Sequence, residues 1–256
     1  MIRQLIREML LAEAAWTPER LGKNYQIFVK KLGKSNMLSI ELHRIKMNPQ
    51  YDEVLDKYGV ELEPSSESVG FVKIYKPSAG SESGPCDGAY VIYESSVDQE
   101  VDGAGPLLYD VAIEMTGEQG LTADRSSVSD DALRVWSYYL NKRTDVNSRQ
   151  LDDTLGTLTP VDPMDDCWWT ATLDDDLTND LYDSFETKRQ DLLRKDPVNF
   201  RSSFDKEKEE FYGRNPGYKE KLLSSPLTKA YTKNGTPVID RLKKLGLIKF
   251  DDRIKI

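Results

Sequence analysis

The feature that most limits the fold is a row of short apolar runs, YQIFVK, NMLSIELHRIK, VGFVKIYK and GAYVIYESSV, followed by the turn VDGAGPLL from Val101 to Leu108. The last three runs are rich in β-branched and aromatic residues and bounded by Gly, Pro or Ser, which predicts strands. They stand too close together for helical crossovers, so they belong to a mainly antiparallel sheet and not to a doubly wound one. The stretch PSAGSESGPCDG between two of them is a flexible connection by composition. After the Gly-rich turn the spacing becomes helical. Leu107, Leu108, Val111, Ala112 and Met115 share one side of a helix predicted from Pro106 to Glu118. Pro106 suits its first turn, where the missing N–H costs nothing.

Further along, GLTADRSSV reads as a short strand or extended link. Ser129 is placed to cap a second helix from Asp130 to about Lys142, with Asp130 and Asp131 favourable to its dipole. The expected class is therefore α/β (α+β), with a mixed, mainly antiparallel sheet flanked by helices over residues 16–167. Beyond TLTPVDPMDDC the character changes. DDDLTNDLYDSFETKRQDLLRK and DKEKEEFYGRN look helical and exposed, and NGTPVIDRLKKLGLIK looks like a closing helix. Residues 177–256 are thus expected to form a mostly helical C-terminal extension. CWWTATL reads as a core or edge strand.

Charge narrows the function. The net charge is -9, but it is uneven. Residues 177–256 hold 18 Lys and Arg against 13 Asp and Glu, a balance of +5, which leaves 17 against 31, or -14, for residues 1–176. An acidic body repels free nucleic acid, so a nucleic-acid partner is not expected. No run approaches the ~20 apolar residues of a membrane span, so no membrane partner is expected either. Cys86 and Cys167 are not in metal-ligand spacing, and His43 is the one histidine, so no metal site is expected. A Cys–His hydrolase built on His43 finds no nucleophile-like surroundings at either cysteine. Asp162, Asp165, Asp166, Asp174, Asp175 and Asp176 lack the sharp-turn glycine of a calcium loop and read as a solvated linker.

The segment GAGPLLYDVAIEMTGEQGLTADRSSVSDDALRVWSYY resembles the cofactor-binding half of the GNAT family of N-acetyltransferases. Gly103, Gly105, Leu107 and Leu108 match the family's Gly-x-Gly turn and helix start, and Ala132 with Trp136 matches its second helix. The match spans roughly residues 69–143. It implies an acetyltransferase-like domain with acetyl-CoA as cofactor and a small amine or a host protein as acceptor. Gly103, Ala104, Gly105 and Leu107 would then bind the cofactor through backbone N–H groups at a helix start. Tyr139 would be the acid that protonates the leaving thiolate. Glu100 stands where the family usually has Gln or Arg, and Trp136 where it has Tyr. Both favour the other reading, a non-catalytic virion or interaction protein that keeps the fold.

The wording GPLLYDVA…DRSSVS…VWSYY also resembles acetyltransferase-like proteins of large tailed phages. MIRQLIREMLLAEAAW places Ile2, Leu5, Ile6, Met9 and Leu10 at helical spacing, with Arg3 and Arg7 opposite. It resembles the short N-terminal peptides that take proteins into the prohead of T-even-type phages. The resemblance implies that residues 1–13 dock on the prohead scaffold and that the prohead protease cuts between Glu13 and Ala14. It further implies a protein packaged in the phage head, and present in the host cytoplasm after synthesis or injection.

Overall fold

A computed structural model describes residues 15–33, 37–46, 65–76, 89–124, 128–151, 158–159 and 224–254, with isolated positions between 187 and 220. The helix expected over Ile2–Ala15, with the cut between Glu13 and Ala14, lies outside the described residues except for Ala15. So do the two cysteines, the six linker aspartates and CWWTATL. The chain is an α+β protein and divides into two compact units. The first comprises Met1–Tyr75, Ile92–Gly117 and Lys233–Ile256; the second comprises Lys76–Val91 and Glu118–Thr232.

In the first unit the four apolar runs become strands β1 (Tyr25–Leu32), β2 (Met37–Lys46), β3 (Ser65–Tyr75) and the larger part of β4 (Tyr90–Val97). β1, β2 and β3 pair antiparallel, which the short connection between Leu32 and Met37 requires for the first two. The alternation of the sequence sets the register. Ile27 lies opposite Leu42, Val29 opposite Ile40, and Ile40 opposite Val72, and all five side chains are fully buried. A short helix α1 (Pro18–Leu21) precedes β1. Helix α2 (Gly105–Thr116) lies on β2 and β3. The sequence predicted one apolar side for it, yet Tyr109, Asp110, Ile113 and Glu114 are buried too, while Met115 is only half-buried. A helix covered nearly all round is a core element, not a surface one.

The expected closing helix is two elements. α4 (Pro237–Leu245) ends at Gly246 in the left-handed region, φ 69°, and β9 (Ile248–Phe250) follows it. β9 pairs parallel with β1, Ile248 lying opposite Ile27. Helix α4 and strand β9 therefore belong to the first unit, β9 as a strand of its sheet, which differs from the helical extension expected for 177–256.

The second unit holds the start of β4, β5 (Leu121–Thr122), helix α3 (Asp130–Asn141), β6 (Val146–Leu151), β7 (Leu158–Thr159) and most of β8 (Lys229–Lys233). Ser129 caps α3 as its sequence implied, its Oγ accepting from the Ala132 N–H at 3.3 Å. β5 runs parallel to β4, with Tyr90 opposite Leu121, and antiparallel to β8, with Leu121 opposite Tyr231. Gly120, which leads into β5, has φ +77°, and a Cβ there would sit 3.0 Å from Thr232 Cγ2 and 3.1 Å from the Tyr231 carbonyl oxygen. Only glycine fits this approach of two backbones. Neither β6, VNSRQL, nor β8, KAYTK, was signalled by the sequence pattern.

Candidate functional site: the Gly-rich turn before helix α2

The turn is built in steps from β4. A 3-10 turn over Gln99–Val101 follows the strand, in which the Val101 N–H donates to the Asp98 carbonyl at 3.0 Å and the Asp102 N–H to that of Gln99 at 3.3 Å. Gly103 then takes φ +85°, a conformation that an L side chain enters only at a cost. The Ala104 N–H donates back to the Val101 carbonyl at 3.0 Å, and Ala104 is the N-cap of α2. Alanine offers no side-chain oxygen, and α2 has no side-chain cap.

Among the described residues, the N–H groups of Gly103, Gly105 and Leu107 have no hydrogen-bond partner. Pro106 has no N–H to present. Three of the four residues expected to hold a cofactor therefore carry an unpaired donor, Leu107's on a buried residue, whereas that of Ala104 is consumed inside the turn. Ala104 and Leu107 are buried as whole residues, so the half-exposed backbone of this turn is that of Gly103 and Gly105.

Trp16 holds the turn from the other side. Its backbone N–H donates to the Gly103 carbonyl at 2.9 Å, and its indole Nε1–H to the Asp102 carbonyl at 3.0 Å. Its ring packs edge-on to Tyr25 with centroids 5.2 Å apart, and the Arg20 guanidinium lies 5.5 Å from its centroid. In a trans peptide the C=O and N–H point in opposite directions. Fixing the Asp102 carbonyl toward Trp16 thus aims the Gly103 N–H away from it.

The charge around the turn is mixed. Glu100 pairs with Arg44, whose guanidinium is held charged by hydrogen bonds to Tyr25 and to Glu100. Asp98 and Asp102 are exposed to solvent. One of the three carboxylates near the turn is thus neutralised by a cation from β2, and the others sit in high dielectric.

Tyr139, the expected acid, belongs to α3 in the second unit. It is 1% exposed, with ring centroids 6.0 Å from Trp136 and 6.2 Å from Tyr231, and the Arg143 guanidinium 5.2 Å from its own. Trp136 stacks on Tyr231 at 4.8 Å, and the Tyr231 hydroxyl donates to the Pro226 carbonyl at 2.7 Å. Burial pushes the Tyr231 phenol far above the usual tyrosine range. This aromatic group reads as core.

Sequence reasoning missed a buried polar cluster at the far end of α2 from the turn. In the last turn of α2 the Glu114 carboxylate accepts the N–H of Val238 at 3.0 Å and of Ile239 at 2.8 Å, and so caps α4. Lys233 Nζ lies 3.2 Å from Glu114 Oε1 and 3.1 Å from Asp110 Oδ1. Burial is the largest influence on Glu114 and raises its carboxyl above the ordinary glutamate value, against the backbone N–H groups and Lys233 that favour the charge. Two acids and one base are enclosed together. Nothing local signals this cluster, because Glu114 and Lys233 are 119 residues apart.

Compared with protein families, curated proteins and solved structures, the chain finds no match in any of the three.

Proposed function

We propose that this chain is a phage-head protein carrying an acetyltransferase-like domain that moves an acetyl group from acetyl-CoA to an amine. The observation that carries the reading is the start of α2, a twelve-residue helix without a side-chain cap, at whose front Gly103, Gly105 and Leu107 hold unpaired N–H groups, the two glycines being half-exposed. Such donors, with the helix dipole behind them, fit a pyrophosphate. The element order lends support: strand, Gly-rich turn, helix, a strand parallel to the first, then a second helix. Bound acetyl-CoA would supply the activated acyl group. The part of this chain is to fix the anion on the three backbone donors and so position it, with Trp16 holding the turn in shape and Arg44 offsetting Glu100. Ala104 has no donor left for this task.

The burial of Tyr139 favours a second reading, a virion structural or interaction protein that keeps the fold without the cofactor. The two readings differ in one measurement. With millimolar acetyl-CoA the enzyme reading expects a clear rise in melting temperature, since ligand at 100 times its Kd stabilises the folded state by about 2.7 kcal/mol. No rise at that concentration leaves the second reading.

For the phage-head part, the support is the resemblance of residues 1–13 to a prohead-targeting peptide, with the prohead protease cutting between Glu13 and Ala14. Mass spectrometry of mature particles should find an N-terminus at Ala14, and recovery of intact Met1 would remove the head-targeting peptide from the account.

A further inference from the structure

A second cluster of reactive side chains lies on the strands of the first unit, and the acetyl-CoA reading does not use it. Glu41 and His43 alternate along β2 and so share one face of the sheet. A register shift falls between Leu42 and His43, after which Ile45 pairs with Ser66 and His43 with Ser68, which puts Ser66 on that same face. The His43 Nε2 is 2.8 Å from Glu41 Oε2, and its Nδ1 is 3.1 Å from Ser66 Oγ. A carboxylate can only accept, so Nε2 carries the hydrogen and Nδ1 is the basic nitrogen that accepts from the Ser66 hydroxyl.

The base is also held in place. Glu41 accepts from Lys30 Nζ at 2.6 Å and, on its other oxygen, from the fully buried Ser39 hydroxyl at 3.0 Å. Hydrogen bonds from Lys30, His43 and Ser39 outweigh burial and keep the Glu41 carboxyl below the ordinary glutamate value, so it stays ionised beside the imidazole. The His43 ring rests on Phe28, centroids 4.7 Å apart, and its side chain is 12% exposed, while Ser66 is exposed. A nucleophile in reach of a base, and a base oriented by a third group, are the arrangement that activates a hydroxyl.

We infer that Ser66, His43 and Glu41 form a nucleophilic relay that takes acyl groups from carboxylic esters with good leaving groups. The Ser66 Oγ bonds to the ester carbonyl carbon while its proton passes to His43 Nδ1, and Glu41 stabilises the imidazolium. The carbon–oxygen bond to the leaving group then breaks and His43 returns the proton to the departing oxygen. Water, deprotonated by the same nitrogen, releases the acid and restores Ser66.

The test uses the full chain and a fluorophosphonate probe, with which the Ser66 oxygen–phosphorus bond forms as fluoride leaves. A single adduct should map to Ser66 by peptide mass spectrometry and vanish in Ser66→Ala. Ser68→Ala, which changes the neighbouring hydroxyl on the same strand, should label as the parent does. His43→Gln should slow labelling by about 100-fold, in the range a positioned general base supplies. If His43→Gln does not fold by circular dichroism, Glu41→Gln carries the same test, with slowing of about 10-fold or more expected. No adduct at Ser66, equal labelling of several serines, or an unchanged rate in a folded His43 or Glu41 variant would overturn the inference.

Discussion

Replacing Glu114 with alanine probes the joint between the end of α2 and the start of α4. The carboxylate does two things at once: it receives the first free N–H groups of α4, and it shares Lys233 with Asp110 where Lys233 and Glu114 side chains are 1% and 0% exposed. Deleting Glu114 leaves the Val238 and Ile239 N–H groups without their acceptor and Lys233 with Asp110 alone, at a cost of about 2–4 kcal/mol. Total stabilities run to about 5–15 kcal/mol, so the variant should lose a large share. Urea unfolding followed by tryptophan fluorescence should show the midpoint falling by about 1–2 M at an unchanged slope. Glu114→Gln paired with Lys233→Met in an Asp110→Asn background removes the three enclosed charges together and should recover much of the loss, a coupling that a mutant cycle reads directly. A loss under about 1 kcal/mol in Glu114→Ala, or no recovery in the pair, would refute the buried joint. The pH dependence has a definite sign. Burial raises the folded carboxyl above the ordinary 4.5, so the folded state binds the extra proton between the two values. Stability from this group is present below 4.5 and is lost as pH rises through the raised value.

Three further outcomes follow from backbone geometry and burial. Gly120→Ala should cost at least about 2 kcal/mol in urea unfolding, since it combines a φ of +77° with a Cβ 3.0 Å from Thr232. Gly105→Ala, whose Cβ would meet only Val97 at an ordinary 3.8 Å, should instead be neutral or stabilising by up to about 1 kcal/mol by the same assay. Thr122 is fully buried with a hydroxyl that has no partner among the described residues, so Thr122→Val should raise the melting temperature, corresponding to about 1 kcal/mol.

The parts of the molecule that could be read from sequence are those whose causes are local. Ser129 announced α3, and Pro106 with Leu107 and Leu108 announced α2, because capping and first-turn chemistry act within a few residues. The four apolar runs announced β1 to β4 by composition and spacing. What escaped depends on distant partners. β8 and β9 are five and three residues long, and each is a strand because Leu121 or Ile27 is there to pair with it. Asp110 and Glu114 looked like the polar side of an amphipathic helix until Lys233 and the start of α4 were seen to cover them. Within the candidate site, glycine spacing pointed to Gly103 and Gly105, but only coordinates reveal that Ala104 consumes its own donor and that Trp16 pins the carbonyls. His43 stood out as the one histidine, while its link to Ser66 depends on a register shift that no residue pattern marks.

Whether the start of α2 receives a pyrophosphate is tested most directly by following its amides one by one. In a nitrogen–proton correlation spectrum of the isotopically labelled protein, titration with acetyl-CoA should move the Gly103, Gly105 and Leu107 resonances saturably and together, and shift Ala104 less because its N–H already serves Val101. Those three resonances standing still at millimolar ligand, or moving no more than amides elsewhere in the sheet, would contradict the account.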